Sequence, residues 1–175
     1  MKNGMFTGPG GNRGAGSGDG INNNNGGPDA YTDEDIANLL YMLEEEKLAG
    51  DIYEALYDQT GLQIFANIAE SEDSHVAALL AQADVMDIDV SAILAEPAGS
   101  FVNPDLQALY DTLLAQGSES ATAALEVGVL IEETDIVDLQ EAASSVEGTA
   151  LAAVYDNLLD GSANHLDAFE AWLGA

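Results

Sequence analysis

Four stretches of apolar residues at helical spacing, set as two closely joined pairs with a long connector between the pairs, leave this chain few ways to fold. The first opens at Thr32, which with Asp35 three residues on makes a capping-box-like start, and runs over about 33–59 until Gly61 stops it. The second follows after a very short turn, over about 63–86. A connector from Asp87 to Ser118 is broken by Pro97 and Gly99 and carries one short helix, opened by Asn103-Pro104 and closed by Gly117. The third and fourth stretches cover about 120–144 and 149–172, the last ending at Gly174. Gly128 and Gly161 fall inside helices and mark local weak points. Short turns force antiparallel neighbours. A helix of ~24 residues is ~36 Å long, so only a connector as long as this one can travel back along it. β-branched alternation is nowhere sustained. The expectation is therefore all-α: one antiparallel four-helix bundle over residues 31–175, with a long crossover between the second and third helices carrying a short extra helix.

Residues 1–30 read differently. They hold 10 of the 18 glycines and the run Asn22-Asn23-Asn24-Asn25, too little apolar surface to offset the entropy of ordering, so a disordered tail is expected there. Lys2 and Arg13 balance Asp19 and Asp29 within that tail. The formal charge of −29, from 3 Lys+Arg against 32 Asp+Glu, thus falls wholly on the helical body, where Lys47 is the only base. Such a body is repelled by nucleic-acid phosphates and by anionic membranes, so neither is expected as a partner. With no cysteine, disulfide scaffolds, zinc ribbons, thiol nucleophiles and iron–sulfur clusters are excluded. No stretch approaches the ~18 consecutive apolar residues of a membrane span. Met1 to Gly20 carry no apolar signal region either, so a cytoplasmic location is expected. Because the acidic excess is spread over every helix, it points to a high-salt cytoplasm, where screening lengths shrink to ~3 Å at molar salt.

The inward seams hold residues that a core does not normally accept. The first helix repeats through Ile36, Leu39, Leu43, Glu46, Gly50, Tyr53 and Tyr57, and the second through Phe65, Ile68, Glu72, His75, Leu79, Gln82 and Met86. The third gives Leu125, Val129, Glu132, Ile136, Leu139 and Ala143, and the fourth Leu151, Tyr155, Leu158, Ser162, His165, Phe169 and Trp172. Each stripe is apolar at both ends and interrupted near its middle by a carboxylate, a histidine or both. An unpaired carboxylate buried there costs on the order of several kcal/mol. Lys47 lies about 100° off its helix's seam, so the remaining way to hold these acids together is a bound cation. Glu72 and His75, one turn apart, can reach a common point. Carboxylate and imidazole without thiolate suit iron, manganese or zinc. Tyr53 reads as a core tyrosine, with a hydrogen-bonding or redox role as the alternative.

A short internal echo runs alongside. Glu45-Glu46 followed by Asp51, Glu54 and Ala55 returns as Glu132-Glu133 followed by Asp138, Glu141 and Ala142, and the surroundings of His75 are mirrored around His165. Two facing halves around a pseudo-twofold site are expected from it.

The segments Glu46-Lys47-Leu48-Ala49 with Tyr53, and Ile68-Ala69-Glu70-Ser71-Glu72-Asp73-Ser74-His75, resemble the first two helices of rubrerythrin-type proteins in the ferritin-like superfamily. Glu44-Glu45-Glu46-Lys47-Leu48-Ala49, Ile64-Phe65-Ala66-Asn67-Ile68-Ala69, Ala124-Leu125-Glu126-Val127-Gly128 and Asn164-His165-Leu166 are more closely similar to an uncharacterised prokaryotic ferritin-like family, domain of unknown function 2202, over roughly 33–172. The resemblance implies a ferritin-like four-helix bundle. Di-iron sites of that superfamily take one Glu from each of two helices and a Glu-x-x-His from each of the other two. Carried over, Glu46, Glu72, His75 and His165 become metal ligands. On the third helix Glu132 and Asp135 match a paired-carboxylate pattern, while the internal echo favours Glu133. Ser162 stands where the second Glu-x-x-His carboxylate belongs, leaving one strong and one weak metal position, or a mononuclear site. The function implied is a non-haem di-iron or iron–manganese oxidoreductase acting on dioxygen, peroxide or ferrous iron. Its expected partners are metal ions, an external electron donor and, as a homodimer, a second copy of the chain. A metal-binding protein without turnover, serving storage, buffering or a structural zinc, and a degenerate ferritin-like scaffold are the alternatives.

Overall fold

Four of the described helix starts coincide with short polar side chains that satisfy free N–H groups of the first turn. In the computed structural model, which describes residues 31–174, there are six helices and no strand among the described residues. The glycine-rich tail expected over 1–30 lies outside them. Helix α1 (Asp33–Thr60) is opened by a full capping box: the Thr32 hydroxyl accepts from Asp35 N, and the Asp35 carboxylate accepts from Thr32 N. Gly61, at φ 68°, ends it in the left-handed conformation that glycine tolerates best. Helix α2 (Gln63–Val85) follows directly. Asn103 caps α4 (Pro104–Gly117), Ser120 caps α5 (Ala121–Ser145) and Thr149 caps α6 (Ala150–Leu173).

The connector departs from expectation in two respects. It holds two helices, because α3 (Ser91–Ala95) precedes α4. Gly117 is the last helical residue of α4, and Ser118 is its cap. The crossover is fastened to α1 along one face. The Glu44 carboxylate accepts from Val102 N at 2.6 Å and from Asn103 N at 3.2 Å. Asp51 accepts from Gly99 N at 2.8 Å and pairs with Lys47 at 2.6 Å. Lys47 donates in turn to the carbonyls of Pro97 and Ser100, with its ammonium 4.5 Å from the centre of the Phe101 ring. The one base of the body is thereby committed to the crossover.

Helix α1 packs on α2 and α5 on α6, while α1 meets α5 and α2 meets α6, so the two hairpins face each other; α4 lies against α1 and α5. The interior is two apolar clusters. One gathers Leu48, Ile52, Tyr53, Leu56, Phe65, Ala124, Val127 and Phe169. The other gathers Leu39, Leu43, Leu79, Leu139, Leu151, Tyr155 and Leu158. Each Leu, Ile, Val or Phe among them adds roughly 1.5–3 kcal/mol when fully buried. On all four long helices the residues between the two clusters are the polar ones: Glu44 to Glu46, Glu72 and His75, Glu132 and Asp135, Ser162 and His165. Two expected core aromatics are not in the core. Tyr57 and Trp172 are 36% and 45% exposed, in the last turns of α1 and α6, and Leu56 takes the inward position next to Tyr57.

The two mid-helix glycines, which looked like weak points, are places of close approach. A methyl group on Gly128 would lie 2.7 Å from the Phe169 ring, which fills that space. One on Gly161 would collide with the His75 imidazole, so its absence lets that ring lie directly on α6.

Candidate metal centre

The polar layer assembles from four helices. Glu46 comes from α1, Glu72 and His75 from α2, Glu132 from α5 and His165 from α6, and all five are 8% exposed or less. The imidazoles of His75 and His165 lie stacked, with centroids 5.4 Å apart. Two triads able to hold a cation result, Glu46–Glu72–His75 and Glu72–Glu132–His165, and Glu72 is common to both. Its oxygens divide between them: Oε2 is 2.8 Å from His75 Nδ1, and Oε1 is 2.9 Å from His165 Nδ1. His75 Nδ1 is also 3.1 Å from Glu46 Oε2, and His165 Nδ1 is 3.5 Å from Glu132 Oε2.

These short approaches are largely not hydrogen bonds. Both Glu72 oxygens, Glu46 Oε1 and His165 Nδ1 are buried with no hydrogen-bond partner, because the contacts run off the N–H directions. Several lone-pair-bearing atoms thus converge from different helices without satisfying one another. A divalent cation resolves that arrangement, and Lys47, engaged elsewhere, does not. The residues present fit a pair of divalent metal ions.

Second-layer contacts hold the ligand candidates in place. The Tyr53 hydroxyl donates to Glu132 Oε1 at 2.6 Å. Burial first, and then the nearby Glu132 carboxylate, keeps that phenol protonated well above its ordinary range. His165 Nε2 sits 2.8 Å from the Ser71 hydroxyl. With Nε2 engaged there, Nδ1 is the nitrogen that faces Glu72 and Glu132 and the one that would offer a lone pair to a cation held between them.

The charges are strongly coupled. Burial pushes Glu46 up to about 8 against the pull of His75, and burial likewise raises Glu132 to about 6. Glu72 is held down at about 2, because the two imidazoles beside it outweigh its desolvation. Burial disfavours the imidazolium forms, yet the carboxylates prevail and carry His75 up to about 10 and His165 to about 9. In the metal-free protein two protons therefore occupy positions at which cations would bind.

Of the sequence-derived ligands, Glu46, Glu72, His75, Glu132 and His165 come together in the two triads. Asp135 does not join either. It is buried next to Ser162 with Oδ1 unpartnered, and desolvation raises it well above the carboxylate range. Glu133, favoured by the internal echo, is exposed. The echo matched residue types one position out of phase, and one position turns a helical side chain by about 100°. Ser71 was missed because a lone serine beside Glu72 carries no distinctive spacing. Glu45 was missed too: it is buried against Asp138, and desolvation followed by the Asp135 and Asp138 charges keeps it protonated.

A family model described as an uncharacterized protein domain, DUF2202, matches residues 35–174, which take in every residue of the two triads. The chain belongs to this family. Among relatives, the uncharacterized protein MJ0754 of Methanocaldococcus jannaschii is 40% identical over 141 residues, covering 79% of this chain and 74% of the relative. The crystal structure of the hypothetical protein MJ0754 from Methanococcus jannaschii superposes with a TM-score of 0.81 at 38% identity over 83% of each chain. The all-helical fold of this DUF2202 chain is thus shared with a solved structure. No helix among the described residues is long and apolar enough to cross a membrane.

Proposed function

We propose that this DUF2202 protein is a ferritin-like, non-haem dinuclear metal protein and acts as an oxidoreductase on dioxygen, peroxide or ferrous iron. One observation carries the reading: two buried ligand triads share a single carboxylate whose oxygens face different histidines without hydrogen bonds. Glu72 would bridge, Glu46 with His75 would complete one position, and Glu132 with His165 the other. Two irons, or one iron and one manganese, would supply the electron chemistry there. The chain's own residues do the rest. Tyr53 holds the Glu132 carboxylate in place, and Ser71 holds the His165 ring by its Nε2. The two apolar clusters keep bulk water from the layer on both sides along the helices. With no cysteine the chain has no thiolate-held iron centre to pass electrons in, so turnover on dioxygen or peroxide would draw on a separate donor, whereas ferrous iron would bring its own electrons.

Ser162, at the position of a second bridging carboxylate, supports a second reading in which one ion binds tightly and no turnover occurs. Metal content by mass spectrometry on untagged protein separates the two. Two equivalents of iron or of iron with manganese support the oxidoreductase, whereas one zinc per chain supports the second. For the first reading, protein loaded with ferrous iron in air develops a near-ultraviolet charge-transfer band that Glu72→Ala abolishes. A folded wild-type protein that develops no band refutes it.

A further inference from the structure

A cavity of about 250 Å³ opens between α1 and α2 beneath α3 and reaches the polar layer, where Glu46 and Glu72 form part of its wall. Both carboxylates are 2% exposed, and Glu46 Oε1 and the two Glu72 oxygens have no hydrogen-bond partner. Elsewhere the inner wall is apolar, from Leu43, Val76 and Ile93. The mouth is acidic: Glu54 and Asp73 are exposed, Glu96 is half-buried, and the only base there, Lys47, is already paired with Asp51. An outer groove that shares Glu54 and Asp73 extends the acidic lining through Asp58 and Glu70.

We propose that this cavity is the access port of the dinuclear centre and that it takes a hydrated divalent cation, so that the substrate class of the site is a metal ion delivered from solution. The inference rests on the dinuclear reading above. Its size fits: at about 30 Å³ per water, an ion with six waters fills roughly 200 Å³. Its charge fits as well. A mouth lined with carboxylates over low-dielectric walls raises the local concentration of cations and repels anions such as phosphate or carboxylates. Glu46, which lines the cavity and has one carboxylate oxygen without a partner, is the residue positioned to exchange the first water of an entering ion for a protein ligand.

The experiment is stopped-flow uptake of cobalt(II), followed by its visible absorption, into the full-length chain freed of metal. One variant carries Glu54→Gln, Asp73→Asn and Glu96→Gln at the mouth. A control carries Glu119→Gln, Glu126→Gln and Glu147→Gln, exposed carboxylates that do not line the cavity. A third, Leu94→Lys, adds a cation at an exposed position on the cavity wall. At about 10 mM salt, where the Debye length is about 30 Å, the mouth variant and Leu94→Lys should each load about tenfold more slowly. The control should stay within about twofold of wild type, and all should bind the same two equivalents. Near 1 M salt the differences should vanish, since screening acts over about 3 Å. Equal slowing by mouth and control variants, or no slowing by either, overturns the port while leaving the centre intact. A wild-type chain that binds no cobalt overturns the dinuclear reading, and the port with it.

Discussion

A methyl group added at Gly161 would lie 2.8 Å from Cε1 of His75 and closer still to its Nε2. The ring has nowhere to go without leaving Glu46 and Glu72, which approach its other nitrogen at 3.1 and 2.8 Å. Gly161→Ala should therefore act on the proposed metal centre although alanine is the better helix former. We expect a stability loss of about 1–3 kcal/mol from overpacking, with weakened binding at the His75 position and near-normal binding at the His165 position. Cobalt titration followed by absorption reads the two positions separately, and two unchanged equivalents of unchanged affinity would refute the close approach. Part of the centre at this scale is legible from the chain alone. Glu46, Glu72, His75 and His165 interrupt apolar stripes, and a periodic pattern exposes such interruptions. The choice among Glu132, Glu133 and Asp135 is not legible. Three acids within four positions lie on different sides of a helix, and only packing against α1 and α6 decides which face turns inward. Ser71 and Gly161 are invisible for another reason: each acts by proximity to a residue of another helix, 94 and 86 positions away in the chain.

Among the elements, the helices other than α3 could be read to within two residues because their ends carry local signals, such as the Thr32–Asp35 box, Gly61 and Asn103-Pro104. Helix α3 escaped notice. It has five residues, no side-chain cap and only Ile93 buried, so neither periodicity nor capping announces it. The attachment of the crossover was equally hidden. Glu44, Lys47 and Asp51 look like a solvated acidic face, yet they satisfy backbone groups about fifty residues away. Glu44 is the critical member: it is 5% exposed and accepts from Val102 N and Asn103 N just ahead of α4. Glu44→Ala leaves those two donors without their acceptor. Hydrogen bonds to a charged group contribute about 1.5–3 kcal/mol each, so with two of them a loss of about 3–6 kcal/mol in chemical denaturation is expected. Fluorescence of Trp172, remote in sequence from the crossover, and far-UV circular dichroism should report the same lowered midpoint. A midpoint within about 0.5 kcal/mol of wild type, the range of ordinary surface changes, would show that the staple contributes little.

At the scale of the whole molecule, two electrostatic terms respond to different conditions. The buried layer responds to pH. His75 and His165 are raised in the folded chain to about 10 and 9, so their contribution is complete below the unfolded value near 6.5 and is lost as pH climbs through 9 and 10. Glu46, raised to about 8, loses its contribution in the same direction from about 4.5 upward, whereas the contribution of Glu72, lowered to about 2, is complete above about 4.5 and is lost only as pH falls toward 2. Chelated protein should thus melt progressively lower between pH 6.5 and 10, and metal should flatten that slope by taking the place of the protons. A slope that survives metal loading counts against the centre. The surface responds to salt instead. A charge of −29 with a single base in the body repels itself, and the Debye length contracts from about 10 Å at 0.1 M to about 3 Å at 1 M. If self-repulsion costs ~3 kcal/mol, a chain of this length should gain on the order of 10 °C in Tm across that interval. Most of the gain should come below 1 M in chloride salts. Screening saturates there, whereas salting-out of apolar surface keeps growing with concentration and is stronger in sulfate. A Tm that ignores chloride would remove the high-salt cytoplasm as the explanation of this composition. The acids would then need a local role, and the carboxylates around the α1–α2 cavity are the ones positioned to have it.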